Sequence, residues 1–211
     1  DVKYWNNNTV LGEYETKSNY MTKIENYFND VSVDGFTETF NSMYKSLQEL
    51  LKNPSSYTTR TQFVNYAESL TEYFNSVATN LKKIQEECNF EIRNQVDQIN
   101  SIARQISSLT KQINTLEVSG GTANDLRDQR ALLVDKLSYI ANVSVEERIV
   151  GDNVGVSSYI VKLDGITLVD GIHYNTLEVV PRTSKVNQND IDGLYEVYWS
   201  NGQKFASESP T

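Results

Sequence analysis

The side chain best suited to acid-base chemistry in this chain is its single histidine. His173 lies in the segment Gly171-Ile172-His173-Tyr174, inside a region where polar and apolar residues alternate. A histidine base or a zinc site needs partners such as a second histidine or a thiolate, and the sequence supplies neither close by. We therefore interpret His173 as an ordinary loop residue.

Cys88 is the only cysteine, so an intrachain disulfide or a cysteine metal cage is impossible. It falls within a row of apolar residues at helical spacing, where a thiol packs as a small apolar group and stays protonated. We interpret it as a packing residue rather than a nucleophile.

Three further patterns resemble sites without meeting their requirements. Gly120-Gly121 lacks the Lys-Ser/Thr ending of a phosphate loop and follows a helical pattern, so it indicates a helix stop. The segment Asn189 to Gly193, with Glu196, has the residue types of a calcium site but lacks the ligand spacing of an EF-hand loop. We therefore interpret it as a polar turn. Asp128 and its charged neighbours are typical of a solvated helix face. The sequence predicts no enzyme, no cofactor and no metal site.

Composition restricts the partners. The chain has 211 residues and a net charge of -9, without a basic cluster, which disfavours nucleic acid. No run of about 18 apolar residues occurs, so no membrane span is predicted. The first residue is Asp1 rather than methionine, and we expect a fragment of a longer protein.

Apolar residues at three- and four-residue steps predict three helices in the first part of the chain. The first ends near Asp30, and the second runs from Phe36 to the Asn53-Pro54 stop. The third runs from about residue 56 to 117 without Pro or Gly. Its heptad seam begins with Leu70, Phe74, Val77, Leu81, Ile84 and Cys88. A helix over residues 60–117 would be about 87 Å long, so other helices must cover its seam. We predict an elongated antiparallel helical bundle.

A short helix follows the stop at Ser119-Gly120-Gly121. Thr122 and Asn124 are rival N-caps for it. Its predicted buried stripe is Leu126, Leu133, Leu137 and Ile140, and its predicted outer face carries Asp128, Arg130, Asp135 and Lys136.

From Val143 the period changes to two, which indicates strands. Five are predicted: Val143 to Ile149, Val156 to Leu163, Ile166 to Val169, Thr176 to Val180, and Tyr195 to Trp199. Asp164-Gly165 is predicted to form the turn after the second strand, and Asn201-Gly202 is a type I′ hairpin signal. The predicted fold class is α+β and multidomain, with a helical rod over residues 1–142 and a small antiparallel β domain over residues 143–211, truncated at its C-terminal end.

The short helix also carries a family resemblance. The residues concerned are Asn124, Asp125, Leu126, Asp128, Gln129 and Arg130, with Leu133, Leu137 and Ser138 at helical spacing. This pattern resembles the signature of the bacterial flagellar hook-associated protein 1 family. The resemblance covers residues 4–147, with departures at Tyr44, Thr110 and Ala131.

The resemblance implies a non-enzymatic structural subunit of the bacterial flagellum that joins hook to filament by stacking in the axial structure. Its partners would be the flagellar hook protein, the second junction protein and further copies in a ring. It would be extracellular, exported by the flagellar secretion apparatus, and its Asp-Gln-Arg run would link bundle and β domain. The family's terminal helices would lie outside both ends of this chain. The alternative is an extracellular adhesin or binding module on a coiled-coil stalk.

Overall fold

The structure, a computed structural model, describes residues 2–30, 35–149 and 157–205. Four helices lie within these residues: α1 Val2–Asp30, α2 Phe36–Lys52, α3 Tyr57–Val118 and α4 Asn124–Ile140. The predicted second helix and the very long third helix are confirmed, and α3 has 62 residues. The first helix begins earlier than its apolar pattern indicated. Across the described residues, no helix is both long and apolar enough to cross a membrane.

The C-terminal part of the chain forms antiparallel sheets. The strands are β1 Val143–Ile149, β2 Ser157–Leu163, β3 Ile166–Asp170, β4 His173–Tyr174, β5 Leu177–Pro181 and β6 Tyr195–Trp199. Strands β1 to β4 form one sheet in chain order, and β5 pairs with β6 in a second. The α+β fold class is therefore confirmed. The predicted start of the second strand at Val156 lies outside the described residues.

The two predicted turns differ in outcome. Asp164 (φ 46°) and Gly165 (φ 82°) both take left-handed backbone angles between β2 and β3, as a tight hairpin turn requires. The type I′ prediction for Asn201-Gly202 is wrong, since Asp164 is the one described non-glycine residue with positive φ. Instead the Trp199 N–H donates to the Gln203 carbonyl at 2.8 Å, which encloses a three-residue loop with Gly202 at φ 87°. This is the G1-bulge alternative for a glycine hairpin.

Helix α3 ends as the glycines predict. The Gly121 N–H donates to the Leu116 carbonyl at 3.1 Å, and the Gly120 N–H (φ 85°) donates to the Glu117 carbonyl at 3.0 Å. These are the two bonds of a Schellman motif, which satisfies the last carbonyls of a helix.

The predicted caps of α4 are wrong. Ala123 takes the N-cap position, and no described side chain caps the helix. Ala123 is 3% exposed, and its carbonyl accepts the N–H of Arg127 at 3.0 Å. Because this position is buried, a small apolar residue fills it, and both polar candidates fall one residue away.

The main core combines helices and strands. One cluster of buried residues joins Trp5 of α1, Val96 to Ile106 of α3, Val134 and Leu137 of α4, and buried side chains of β1, β2, β3, β5 and β6. Part of the α3 seam is therefore covered by sheet residues as well as by helices. The period of a strand shows which face is buried but not what that face contacts, so the sequence did not indicate this cover.

The chain divides into two compact units, residues 1–17 with 88–211, and residues 18–87. This division differs from the predicted boundary between residues 142 and 143. Whether residues 1–142 and 143–211 are separate domains stays a prediction. In the unit of residues 18–87, Val77 and Ile84 of the seam are buried, whereas Phe74 is 53% exposed. Phe36 packs against Tyr73 and Phe74 with ring centroids 6.0 and 5.9 Å apart.

Candidate functional site at the junction of helix and sheet

Arg130 is buried, at 3% exposure, and its predicted place on the outer face of α4 is wrong. Leu126, Arg130, Val134 and Leu137 follow one another at steps of four, four and three residues, so they share one helix face. Val134 and Leu137 are fully buried on that face. Charged residues of a helix usually lie at solvated positions, and Arg130 was assigned to the outer face of α4 for that reason.

The guanidinium of Arg130 has three partners in the core. Its central carbon lies 3.5 Å from the centre of the Tyr159 ring, a cation–π contact. It donates to Glu147 Oε1 at 3.2 Å and to Thr110 Oγ1 at 3.5 Å. Burial lowers the pKa of Arg130, and Tyr159 and Glu147 oppose that effect. The side chain remains a cation, because arginine ionises far above neutral pH.

Arg127, one turn earlier on α4, links the end of α3 to β1. Its Nε and one terminal nitrogen donate to the two carboxylate oxygens of Glu117, both at 2.8 Å. The other terminal nitrogen donates to Glu147 Oε1 at 3.0 Å. The hydrogen bond from Arg127 lowers the pKa of Glu117. Such a bidentate pair fixes orientation as well as charge.

Glu147 on β1 is the shared acceptor of both arginines. It also accepts the hydroxyl of Ser157 at 2.7 Å. Burial opposes the ionisation of Glu147, but the Ser157 hydrogen bond and the charge of Arg130 outweigh it and lower the pKa. We call the set Thr110, Glu117, Arg127, Arg130, Glu147, Ser157 and Tyr159 the arginine junction. It joins α3, α4, β1 and β2.

A second group of contacts holds the start of α1 against α4. Thr9 Oγ1 donates to the carbonyl of Ser138 at 2.7 Å and to that of Ala141 at 3.2 Å, and Trp5 Nε1 donates to Asp135 at 2.8 Å. Thr9 thus satisfies carbonyls at the end of α4, where intrahelical partners run out. Trp5 and Thr9 were not predicted to be functional residues, because the apolar period of the first helix starts at Leu11.

Gly12 explains how α1 approaches so closely. A Cβ atom at Gly12 would lie 2.1 Å from the carbonyl oxygen of Tyr139, a distance that no side chain tolerates. The Tyr139 hydroxyl also donates to the carboxylate of Glu15. The helix backbones therefore meet at this glycine.

Polar side chains of α3 hold the second sheet. Asn100 donates to the carbonyl of Leu177 and accepts its N–H, both at 2.8 Å. Asn89 accepts the N–H of Tyr195 at 2.6 Å and donates to the Gly193 carbonyl at 3.3 Å. Each asparagine side chain thus binds one backbone N–H and one backbone carbonyl at the edge of the β5–β6 sheet, as a neighbouring strand would. The Ile99-Asn100 pair is part of the family resemblance, whereas no sequence signal distinguished Asn89 from the other asparagines of α3.

The signature residues of α4 divide between two environments. Arg130 and Leu137 are buried, and Leu126 and Leu133 are half-buried. The exposed members are Asn124, Asp125, Asp128 and Gln129. Only Arg130 among these residues takes part in the arginine junction.

The residues considered for chemistry lie apart from this junction. His173 is exposed in the short strand β4, where it pairs with Asp170, so the loop interpretation is wrong; Cys88 is half-buried on α3. Within residues 187–190 the Asn187 N–H donates to the Asp190 carboxylate at 3.0 Å, and the Asn189 N–H donates to Asn187 Oδ1 at 3.1 Å, which fits a polar turn. Over the described part of the chain, no group of three or more His, Cys, Asp or Glu side chains is placed to hold a metal ion.

A long helix whose asparagine side chains bind strand backbones, with an ion-pair network between its end and the sheet, makes this an α+β protein. Comparison with known proteins identifies the particular kind. The protein-family model described as "Flagellar hook-associated protein FlgK helical domain" matches residues 21–210 of this chain. The chain therefore belongs to the flagellar hook-associated protein 1 family, a family of structural flagellar proteins, as the signature resemblance implied.

Individual relatives agree with this assignment. The flagellar hook-associated protein 1 of Bacillus subtilis is 33% identical over 153 residues, which are 72% of this chain and 30% of that protein. The Salmonella typhimurium protein of the same name is 32% identical over 178 residues, 83% of this chain and 31% of that protein. The structure of the flagellar hook junction protein FlgK from Burkholderia pseudomallei has the same fold, with a TM-score of 0.74 at 24% identity, and the match covers 97% of this chain and 35% of that one. The chain thus spans about a third of the length of these relatives.

Proposed function

We propose that the protein is a structural subunit of the bacterial flagellum that joins hook to filament. The observation that carries this proposal is the family match, which covers residues 21–210. The hook protein and the second junction protein would be its neighbours along the axis, and further copies of itself would complete a ring. It would lie outside the cell after export by the flagellar secretion apparatus. The family assignment favours this role over an adhesin.

The arginine junction gives the proposed role a physical basis. A part that transmits rotation from hook to filament must keep its helices and sheet in one orientation. Burial of Arg130, which is 3% exposed, carries a desolvation cost that its partners offset, so loss of those partners would leave an uncompensated buried charge; this favours the observed arrangement of helices and strands. We propose that Arg130 and the other signature residues serve this structural purpose, and that the protein works without catalysis.

Deletion of the gene tests the proposed function directly. We expect cells that carry hooks but lack attached filaments, and that do not swim. Electron microscopy of hooks and a swimming assay measure both effects. A plasmid copy of the complete gene should restore filaments, and a copy with His173→Ala should restore them equally well. Filaments of normal number on the deletion strain would contradict the proposal.

A further inference from the structure

The two compact units of the chain bury very different amounts of apolar surface. The described part of the chain contains 22 buried apolar residues, and only three of them belong to the unit of residues 18–87: Tyr73, Val77 and Ile84. None of these three is fully buried, whereas the other unit contains fully buried side chains such as Ile106. The unit of residues 18–87 therefore gains little stability from the removal of apolar surface from water.

Large apolar side chains of the same unit are exposed instead. Leu51 of α2 and both Val64 and Phe74 of α3 belong to this group. The ion pair between Lys23 of α1 and Glu87 of α3 is also exposed, and exposed pairs contribute little to stability. Most helical stability in proteins comes from tertiary packing, so helices that are packed this sparsely are marginal.

Helix α3 belongs to both units, and the boundary crosses it between Glu87 and Cys88. The apolar seam changes its period at the same place. Before the boundary its steps alternate between three and four residues, whereas Ile84, Cys88, Ile92 and Val96 follow one another at three steps of four. Consecutive steps of four turn the seam away from the face that a heptad covers. One packing register therefore does not continue through the boundary.

Asn89 lies just past the boundary and binds strand backbone. It accepts the N–H of Tyr195 at 2.6 Å and donates to the Gly193 carbonyl at 3.3 Å. Further along the helix, Ile99 and Ile106 belong to the main core. The second half of α3 is therefore held by partners that lie outside the unit of residues 18–87.

A long helix can lose its first half at low cost. The expensive step in helix formation is the first turn, and the remaining half already contains formed turns, so unwinding from one end needs no new nucleus. The N–H groups at the shortened end are satisfied by water. Helix α3 can therefore begin near Asn89 while its second half stays helical.

We propose that residues 18–87 open as one unit while the other unit stays folded, and that the hydrogen bonds of Asn89 stop the opening of α3. Segments with few buried apolar contacts lie at the low-stability end of a protein and open without global unfolding. Helix α2 and the first half of α3 thus unfold and refold while the arginine junction and both sheets remain intact. This conformational freedom is a property of the chain itself and does not depend on the proposed function.

Native-state hydrogen exchange of the whole 211-residue chain, followed by mass spectrometry, tests the proposal within a single helix. After correction for intrinsic rates, amides of residues 64–81 should exchange at least about 100-fold faster than amides of residues 99–113. Similar exchange rates in these two segments of α3 would overturn the proposal, because the chain would then open as a whole.

Two core variants distinguish separate opening from global unfolding. Val134→Ala weakens the core of the other unit, so it should speed exchange at residues 99–113 and leave residues 64–81 unchanged. Val77→Ala should speed exchange at residues 64–81 by about tenfold. Circular dichroism confirms that each variant is folded, and the milder Ile106→Val replaces Val134→Ala if it is not. If the variant of the other unit speeds exchange equally in both segments, the units are not separate and the proposal is wrong.

A matched pair of asparagine variants tests where the opening stops. Asn89→Ala should extend the fast exchange past residue 89 toward Val96, whereas Asn94→Ala, at an exposed position of the same helix, should exchange like the unaltered chain. Identical exchange in the two variants would show that Asn89 does not stop the opening. None of these outcomes bears on the gene deletion, which tests the proposed function separately.

Discussion

Replacement of Arg130 by alanine should destabilise the unit of residues 1–17 and 88–211. The change removes the contact with the Tyr159 ring, and a desolvated cation–π contact is worth about 2 kcal/mol. It also removes a charged hydrogen bond to Glu147, worth about 1.5–3 kcal/mol. The second contribution is reduced because the Glu147 side chain is 36% exposed and keeps its bonds to Arg127 and Ser157. We expect a loss of about 2–4 kcal/mol in the free energy of unfolding.

The chain carries a natural probe for this measurement. Its two tryptophans, Trp5 and Trp199, are 7% and 2% exposed and both lie in the affected unit. Tryptophan fluorescence during urea unfolding therefore reports on that unit, whereas far-UV circular dichroism reports on the helices of both. The fluorescence midpoint should fall in the variant, and the part of the dichroism transition that coincides with it should fall as well.

Two matched variants make the experiment decisive. Arg130→Lys keeps the charge but loses the planar stacking on Tyr159 and the forked donors, and we expect about 1–2 kcal/mol of destabilisation. Arg148→Ala removes an arginine that is 68% exposed and pairs with Glu146, and should change stability by less than about 0.5 kcal/mol. If Arg130→Ala and Arg148→Ala unfold at the same urea concentration, the arginine junction does not stabilise the unit and the reasoning is wrong.

Three further predictions concern the same unit. Gly12→Ala should lower the free energy of unfolding by more than about 2 kcal/mol, because its Cβ would collide with the backbone of Tyr139. Gly35→Ala is the control: no atom lies within 4 Å of its Cβ, and it should lower the free energy of unfolding by less than about 1 kcal/mol, as thermal unfolding of both variants would show. The pKa of Glu117 is lowered in the folded state, so its contribution to stability is complete above the unfolded pKa and is lost as pH falls through the folded pKa. The urea midpoint of Glu117→Gln should therefore fall less steeply with decreasing pH than that of the unaltered chain. Asn100→Ala should cost about 1–3 kcal/mol and speed hydrogen exchange at the Leu177 N–H, with the exposed Asn94→Ala unchanged.

The elements with a regular period were predictable from the sequence. Helix α3 has neither Pro nor Gly over 62 residues, and the glycines at its end could only stop it. Five of the six described strands follow from period two and from the Asp164-Gly165 turn, whereas the two-residue strand β4 was not predicted. These features depend on neighbours within a few residues, which is the range over which a sequence pattern acts.

Features that depend on partners far away in the chain could not be predicted from the sequence. Arg130 is buried because Tyr159 and Glu147, from two strands, offer it a ring and a carboxylate. Thr9 binds carbonyls at the end of α4, about 130 residues further along the chain. Ala123 replaces a polar N-cap because its position is buried. In each case a tertiary contact overrides the local preference of the residue.

The signature segment of α4 shows how one short helix can serve two purposes. Neighbouring residues on a helix point about 100° apart, so a run such as Asp128-Gln129-Arg130 cannot face one partner. Arg130 points into the core, whereas Gln129 is exposed and, with Leu109 and Leu132, lines a shallow groove between α3 and α4. The run therefore contributes one residue, Arg130, to the core and leaves Asp128 and Gln129 at the surface. Gln129→Glu should therefore leave the urea midpoint unchanged, whereas Arg130→Lys should lower it.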